Sequence, residues 1–198
     1  MMNILVTGGL GFIGSHTVVE LVNSNHKVII VDNLINSKID ALDKLTIILG
    51  YTPQYYQIDV TDEIALEQVF TDNSIDGVVH FAGLKAVGES VSKPLEYYSN
   101  NIVSTLVLSK LCLKYNVEKF IFSSSATVYG DQTPPLRKDL ALMKTTNPYG
   151  ETKAMSERIL TNIALANKKF SVTLLRYFNP IGAHSSGLIG EEPNAIYH

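Results

Sequence analysis

Two short runs, Ile4-Leu5-Val6 and Val28-Ile29-Ile30-Val31, are apolar at consecutive positions, and between them stands Thr7-Gly8-Gly9-Leu10-Gly11-Phe12-Ile13-Gly14. A strand with one wet face alternates polar and apolar residues, whereas a strand apolar throughout is buried on both faces, as in a parallel sheet covered by helices. Parallel neighbours need a crossover, usually a helix, and residues Ile13 to Asn23 supply one. Strand, glycine turn, helix and strand in that order constrain the chain to an α/β unit before any other feature is read.

The alternation continues. Strands are predicted at Asn3 to Thr7, Lys27 to Asp32, Gln54 to Asp59, Gly77 to Phe81, Lys119 to Ser124 and Ser171 to Arg176. Helices are predicted near Ile13 to Asn23, Asp62 to Asp72, Leu95 to Tyr115 and Pro148 to Asn167. This pattern is that of a doubly wound, Rossmann-type α/β fold, a parallel sheet with helices on both faces. The 198 residues suffice for one domain that buries roughly 70% of its unfolded surface. Asp131 to Asn147, with Pro134-Pro135, reads as a long loop, and loops of that length are often functional. From Pro180 to His198 the pattern stops, and that stretch has no clear partner element.

The glycine segment has a chemistry of its own. It contains Gly9-x-Gly11-x-x-Gly14 and also Gly8-x-x-Gly11-x-x-Gly14. Such glycines permit a tight turn and close backbone approach, so that a pyrophosphate can sit on the helix N-terminus, where unsatisfied N–H groups and the helix dipole favour an anion. Asp32 ends the second strand 18 residues after Gly14. A carboxylate there accepts hydrogen bonds from the adenosine ribose hydroxyls and repels a 2′-phosphate, which favours NAD over NADP.

A second feature is Tyr149-Gly-Glu-Thr-Lys153, a phenol and an ammonium one turn apart on one helix face. A free tyrosine titrates near 10, and a neighbouring cation lowers that value. Tyr149 is therefore a candidate base for a sugar or alcohol hydroxyl, with Ser123-Ser124-Ser125 at a strand end preceding it.

Composition excludes several classes. The net charge is −3 and no basic run exceeds two residues, so the electrostatic footprint of a nucleic-acid binder is missing. A small-molecule partner is expected instead. Cys112 is the only cysteine, and no signal peptide precedes Ile4-Leu5-Val6, which together point to the cytoplasm. Cys112 reads as a structural helix residue. No apolar run is long enough for a membrane span, the five histidines lack metal spacing, and His80 reads as structural.

With these residues in place the chain resembles the extended short-chain dehydrogenase/reductases, in particular their nucleotide-sugar epimerases. The resemblance runs from Asn3 to about Asn194. Its most specific stretches are His80-Phe81-Ala82-Gly83-Leu84-Lys85-Ala86-Val87-Gly88-Glu89-Ser90, Ser123-Ser124-Ser125-Ala126-Thr127-Val128-Tyr129-Gly130 and Arg176-Tyr177-Phe178-Asn179-Pro180. It implies an NAD site lined by Gly8, Gly11, Phe12, Ile13 and Gly14, by Asp32, Asn33, Leu34, Ile35, Asn36 and Ser37, and by Asp59 and Val60. Phe81, Ala82, Gly83, Leu84 and Lys85, then Asn100, Tyr149, Lys153 and Phe178, complete that lining. Ser125, Tyr149 and Lys153 would be catalytic, and Lys85, Ser125, Tyr149 and Asn179 would meet a UDP-hexose.

The implied reaction interconverts UDP-glucose and UDP-galactose through a 4-keto sugar. A dehydratase of the same family carries an Asp-Glu pair after the strand-end Thr, where this chain has Ala126-Thr127 beside Ser125. A reductase, or a dinucleotide-binding module without catalysis, is the other alternative. The resemblance also implies a homodimer through the two long helices, whose Leu106, Leu113, Met155 and Ile159 would meet across a two-fold axis. It divides the chain into a dinucleotide-binding domain, 1–179, that carries the catalytic residues, and the start of a truncated C-terminal substrate domain, 180–198.

Overall fold

The structure, a computed structural model, describes residues 1–191. Its strands are β1 (Asn3–Thr7), β2 (Lys27–Val31), β3 (Gln54–Tyr56), β4 (Gly77–His80), β5 (Lys119–Ser125) and β6 (Ser171–Tyr177). The helices are α1 (Phe12–Asn23), α2 (Asp40–Leu49), α3 (Glu63–Asp72), α4 (Val87–Ser92), α5 (Pro94–Lys114) and α6 (Pro148–Ala166), with a short 3-10 turn at Ala126–Tyr129. The strands form one parallel sheet in the order β3-β2-β1-β4-β5-β6. β1 pairs with both β2 and β4, so the strand order reverses beside it. In open α/β sheets ligands bind outside the carboxyl ends of the strands at such a reversal. The doubly wound expectation is met. The part of the 180–198 stretch from residue 192 on, with the end of the resemblance at Asn194, lies outside the described residues.

The chain divides into two compact units, one of Met1–Ala82 with the described residues from Asn179 on, the other Gly83–Phe178. In the first, Leu5, Val6, Ile30 and Val31 are fully buried, as consecutive apolar residues in a two-sided strand must be. α1 packs on β2 and α2. Right-handed crossovers run one way from β1 to β3 and the other way from β3 to β4, which puts α3 on the face opposite α1 and α2. The Asp62 side chain caps α3 by accepting from Ala65 N–H at 3.1 Å, a bond worth about 1 kcal/mol.

Three sequence expectations change in this unit, and in the second α4 (Val87–Ser92) is a further helix that the sequence pattern did not predict. α2 was not among the predicted helices; Asp40 and Asp43 in its first turn suit the helix dipole, and Gly50 closes it in the left-handed conformation. β3 stops at Tyr56 and does not reach Asp59, because Asp59 is taken into a turn in which Thr61 donates to it with both backbone N–H and hydroxyl. The segment after Asn179 does find a partner, in itself: Ala183 and Gly190 form an antiparallel bridge, His184 N–H donates to the Ile189 carbonyl, and Ile189 is buried.

In the second unit α5 and α6 lie along each other, and α6 packs on β5 and β6. Their contact includes polar pairs, Asn101 Nδ2 to Thr152 Oγ1 at 3.0 Å and the Thr105 and Ser156 hydroxyls at 3.2 Å. Phe120, Phe122, Leu108, Leu111 and Leu160 fill the core between helices and strand. Cys112 is wholly buried there, and burial pushes its thiol up, so it is inert as a nucleophile. No helix among the described residues is long and apolar enough to cross a membrane.

Candidate active site

The first unit builds a cradle for an anion. Gly8 follows β1 with a φ of +68°, and a Cβ there would lie 2.7 Å from Ala82 N, so the turn after β1 and the end of β4 touch backbone to backbone. A Cβ at Gly14 would strike the Gly8 carbonyl. Gly11 caps α1 without a side chain, and the first turn of α1, with Phe12 and Ile13, carries no acid. Its N–H groups lack intrahelical partners and face no competing carboxylate of their own turn.

Asp32 is buried and holds this turn in shape. One carboxylate oxygen accepts from Leu10 N–H at 3.0 Å, and the other from Leu34 N–H at 3.0 Å and Ser37 Oγ at 2.7 Å. The loop through Asn33, Leu34, Ile35, Asn36 and Ser37 is thereby tied to the glycine turn. Asn33 continues the chain of bonds to Asp59 at 2.9 Å. Burial raises the Asp59 carboxyl, but the bonds from Thr61 and Asn33 outweigh it and hold the group below its ordinary value. Val60 is buried, as is His80, whose ring bonds the Thr7 hydroxyl at 2.7 Å as a structural residue would. Phe81 and Ala82 N–H both donate to the Thr7 carbonyl.

In the second unit the loop after β4 is pinned by a residue that the sequence did not single out. Asn101 accepts from Leu84 N–H at 2.8 Å and returns its amide to the Leu84 carbonyl at 3.0 Å and to Thr152 Oγ1 at 3.0 Å. Gly83 fits above it because it has no Cβ. Asn100, next to it, is half-buried, while Lys85, Phe178 and Asn179 are exposed.

Ser125 ends β5 and caps the 3-10 turn, accepting from Thr127 N–H at 3.2 Å and Thr127 Oγ1 at 3.0 Å. α6 begins with Asn147, whose side chain accepts from Gly150 N–H, and with Pro148 at its first position. Gly150 packs against Thr127 in the 3-10 turn, which brings Tyr149 to Ser125. Burial raises the Tyr149 phenol, and its hydrogen bond with Ser125 pulls in the other direction. Lys153 lies 5.9 Å from the Tyr149 ring centroid and 4.8 Å from that of Phe122, and its Nζ donates to the Ser123 carbonyl at 2.8 Å. Burial lowers this lysine to about 8. The expectation that the cation depresses the phenol is therefore not met in this state: desolvation dominates at both groups, because each is taken out of water and the ammonium is bound to a carbonyl.

The sequence also passed over Glu157. It lies four residues beyond Lys153, is buried, accepts from Ser124 Oγ, and forms a two-pronged pair with Arg176 at 2.9 and 2.8 Å. The four-residue step from Tyr149 to Lys153 to Glu157 was the available signal.

Residues 4–194 match the model of the NAD dependent epimerase/dehydratase family. The chain belongs to that family. Within it, the chain is similar to the UDP-glucose 4-epimerase of Neisseria meningitidis serogroup A, 56% identical over 197 residues, covering 99% of this chain and 58% of the relative. The Bacillus subtilis UDP-glucose 4-epimerase is 54% identical, with 98% and 58% covered. Among solved structures, the Bifidobacterium longum UDP-glucose 4-epimerase in complex with NAD+ and UDP superposes with a TM-score of 0.95 at 53% identity, over 98% of this chain and 58% of that one. An epimerase from Stenotrophomonas maltophila with bound NAD and formylated UDP-arabinopyranose gives 0.94 at 42% identity. The chain thus spans 58% of the length of these family members.

Proposed function

We propose that this chain forms the NAD-binding and acid/base part of an enzyme that interconverts UDP-glucose and UDP-galactose at C4. The observation that carries the reading is Tyr149 brought to Ser125 at the end of β5 by the packing of Gly150 on Thr127, with the Lys153 ammonium 5.9 Å from the Tyr149 ring centroid one turn along the same helix. NAD fits the residues present: the Gly8 and Gly14 positions that a Cβ would fill, the uncapped first turn of α1 for the pyrophosphate, and Asp32 for the adenosine ribose.

NAD, held by the glycine turn and by Asp32, would supply the hydride acceptor and donor for the sugar C4. Tyr149, as phenolate, accepts the proton of the 4-hydroxyl and gives it back to the re-formed alkoxide. Ser125 hydrogen-bonds the reacting oxygen and steadies its developing charge. Lys153 supplies a buried cation beside the phenol and a contact for the nicotinamide ribose. Asn101 holds Gly83 and Leu84 in the shape that the cofactor loop requires.

A dehydratase reading is disfavoured, since the 3-10 turn after Ser125 offers Ala126 and Thr127 in place of a carboxylate pair, and Thr127 is spent on Ser125. We assign residues 180–198 to the start of the segment that covers the sugar nucleotide, with Lys85 and Asn179 as its contacts in this chain. A cytoplasmic homodimer through α5 and α6 completes the proposal; Leu106 and Leu113 are exposed on α5, and Met155 and Ile159 are half-buried on α6. The deciding assay follows UDP-galactose turnover together with bound NAD, for the unsubstituted protein and for Tyr149→Phe. Turnover that falls about 10² to 10⁴-fold with NAD retained supports the reading, and equal turnover in Tyr149→Phe overturns it.

A further inference from the structure

The structure assigns a positioning role to Glu157: it sets the register in which α6 offers Tyr149 and Lys153 to the end of β5. That those two residues do chemistry rests on the function proposed above, whereas the register is a property of the fold.

The three side chains step along α6 at intervals of four and meet three consecutive serines. Tyr149 is brought to Ser125, Lys153 Nζ takes the Ser123 carbonyl, and Glu157 takes the Ser124 hydroxyl between them. Ser124 and Arg176 are direct partners across the β5 and β6 ladder. By binding both, the Glu157 carboxylate straddles two strands at one height and leaves α6 a single axial position over them. Arg176 carries the constraint further. Its guanidinium lies 4.9 Å from the centroid of the Tyr129 ring, in the turn that Ser125 caps.

Stability alone does not account for this arrangement. A buried ion pair is often matched or surpassed by apolar residues of similar volume, and its attested benefit is a fixed register. Glu157 touches neither the phenol nor any atom assigned to the reaction, so it is a positioning residue. The groups that face Tyr149 are Lys153 on its own helix, Ser125 from β5 and the Tyr97 phenol from α5, itself held by Glu89 of α4.

The test pairs Glu157→Met with Arg176→Met, which removes a net-neutral pair, and adds Ser124→Ala as a single-atom variant that keeps the pair. The first readout is the ionisation of Tyr149, taken as the tyrosinate absorbance of each protein minus that of the same protein carrying Tyr149→Phe. A slack register draws Tyr149 away from Ser125, the one influence that lowers its phenol, and the Tyr149 midpoint should rise by about half a pH unit or more in the double variant and by less in Ser124→Ala. Turnover of UDP-galactose should fall about tenfold or more with KM little changed, while the melting temperature of the double variant stays near that of the parent. An unmoved Tyr149 midpoint in a folded double variant overturns the assignment, and if that protein does not fold, an unmoved midpoint in Ser124→Ala does so. Failure of the unsubstituted protein to bind NAD would sink the proposed function and leave the titration to decide the register.

Discussion

Lys153 is held by the backbone of β5: its Nζ donates to the Ser123 carbonyl at 2.8 Å, while the Tyr149 ring centroid lies 5.9 Å away. The helix spacing brings phenol and ammonium to one face, but the strand decides where the ammonium rests. Burial lowers this lysine from its ordinary 10.5 to about 8. A cation is thus kept at neutral pH at a cost to the fold.

That cost has a sign and a window. Between about pH 8 and 10.5 the unfolded chain keeps a proton on this lysine that the folded chain has lost, so stability rises with pH there. Below the window the folded protein bears the whole cost, about 3 kcal/mol for the shift, set against about 1 kcal/mol from the bond to Ser123. Lys153→Met should therefore unfold at higher denaturant at pH 7 and lose the rise between pH 7.5 and 9.5. The Cys112 thiol, raised by burial, acts in the opposite sense from about pH 9, and the raised phenols of Tyr55, Tyr97, Tyr149 and Tyr177 do so above about pH 10, so the lysine is read from the difference between the parent and Lys153→Met. Denaturant melts at the two pH values check this, and a rise that survives in Lys153→Met would place the titrating group elsewhere.

Ser125 gives a second titration. Its hydrogen bond is the one influence that lowers the Tyr149 phenol against desolvation. Ser125→Ala should move the tyrosinate midpoint of Tyr149 upward in the protein without ligand, and should slow turnover even where the substrate still binds. Absorbance titration against a Tyr149→Phe reference reads it directly. A midpoint that falls, or stays, would mean that the serine does not bond the phenol.

How much of this was legible from the chain follows from what each residue packs against. β1 and β2 announce themselves because two-sided burial demands apolar residues at every position, and the glycine turn because backbone contact with Ala82 admits no side chain. α2 was passed over although Leu42, Leu45 and Leu49 fall at helical spacing: only Leu45 is fully buried, and the exposed Ile47 blurs the apolar face. Asn101 was not legible, and Glu157 only through its step of four from Lys153. Each is a polar residue inside a helix that local pattern assigns to the surface, and only the neighbouring helix or strand turns it into a buried clamp. The depressed phenol failed for a related reason: spacing reveals which groups are neighbours, but not how far both are desolvated.

Asp32 should have two separable effects. Its carboxylate repels a 2′-phosphate and also ties Leu10, Leu34 and Ser37 together, with Leu34 held at a φ of +63°. Asp32→Asn should raise NADP affinity relative to NAD by about tenfold, or about 1.4 kcal/mol, while weakening NAD itself because the loop after β2 loosens. Titrations of both dinucleotides against both proteins test it, and tighter NADP binding by the unsubstituted protein would remove the carboxylate from its assigned role.

Two glycines with left-handed backbones separate strain from close approach. Gly50 has a φ of +78° and open space around its missing Cβ, whereas Gly8 has a φ of +68° and Ala82 N only 2.7 Å from that position. Alanine at Gly50 meets only the conformational penalty, about 1 to 2 kcal/mol, and NAD binding should not change. At Gly8 the same penalty applies, and the Cβ also meets backbone atoms that no rotamer change can move. Ala82 N–H is bonded to the Thr7 carbonyl at the point where strand order reverses, so yielding there would part β4 from the turn that cradles the phosphates. Gly8→Ala should therefore cost clearly more stability than Gly50→Ala and lose most of its NAD affinity. Equal losses in the two variants, measured by denaturant melts and NAD titration, would show that the backbone contact does not shape the site.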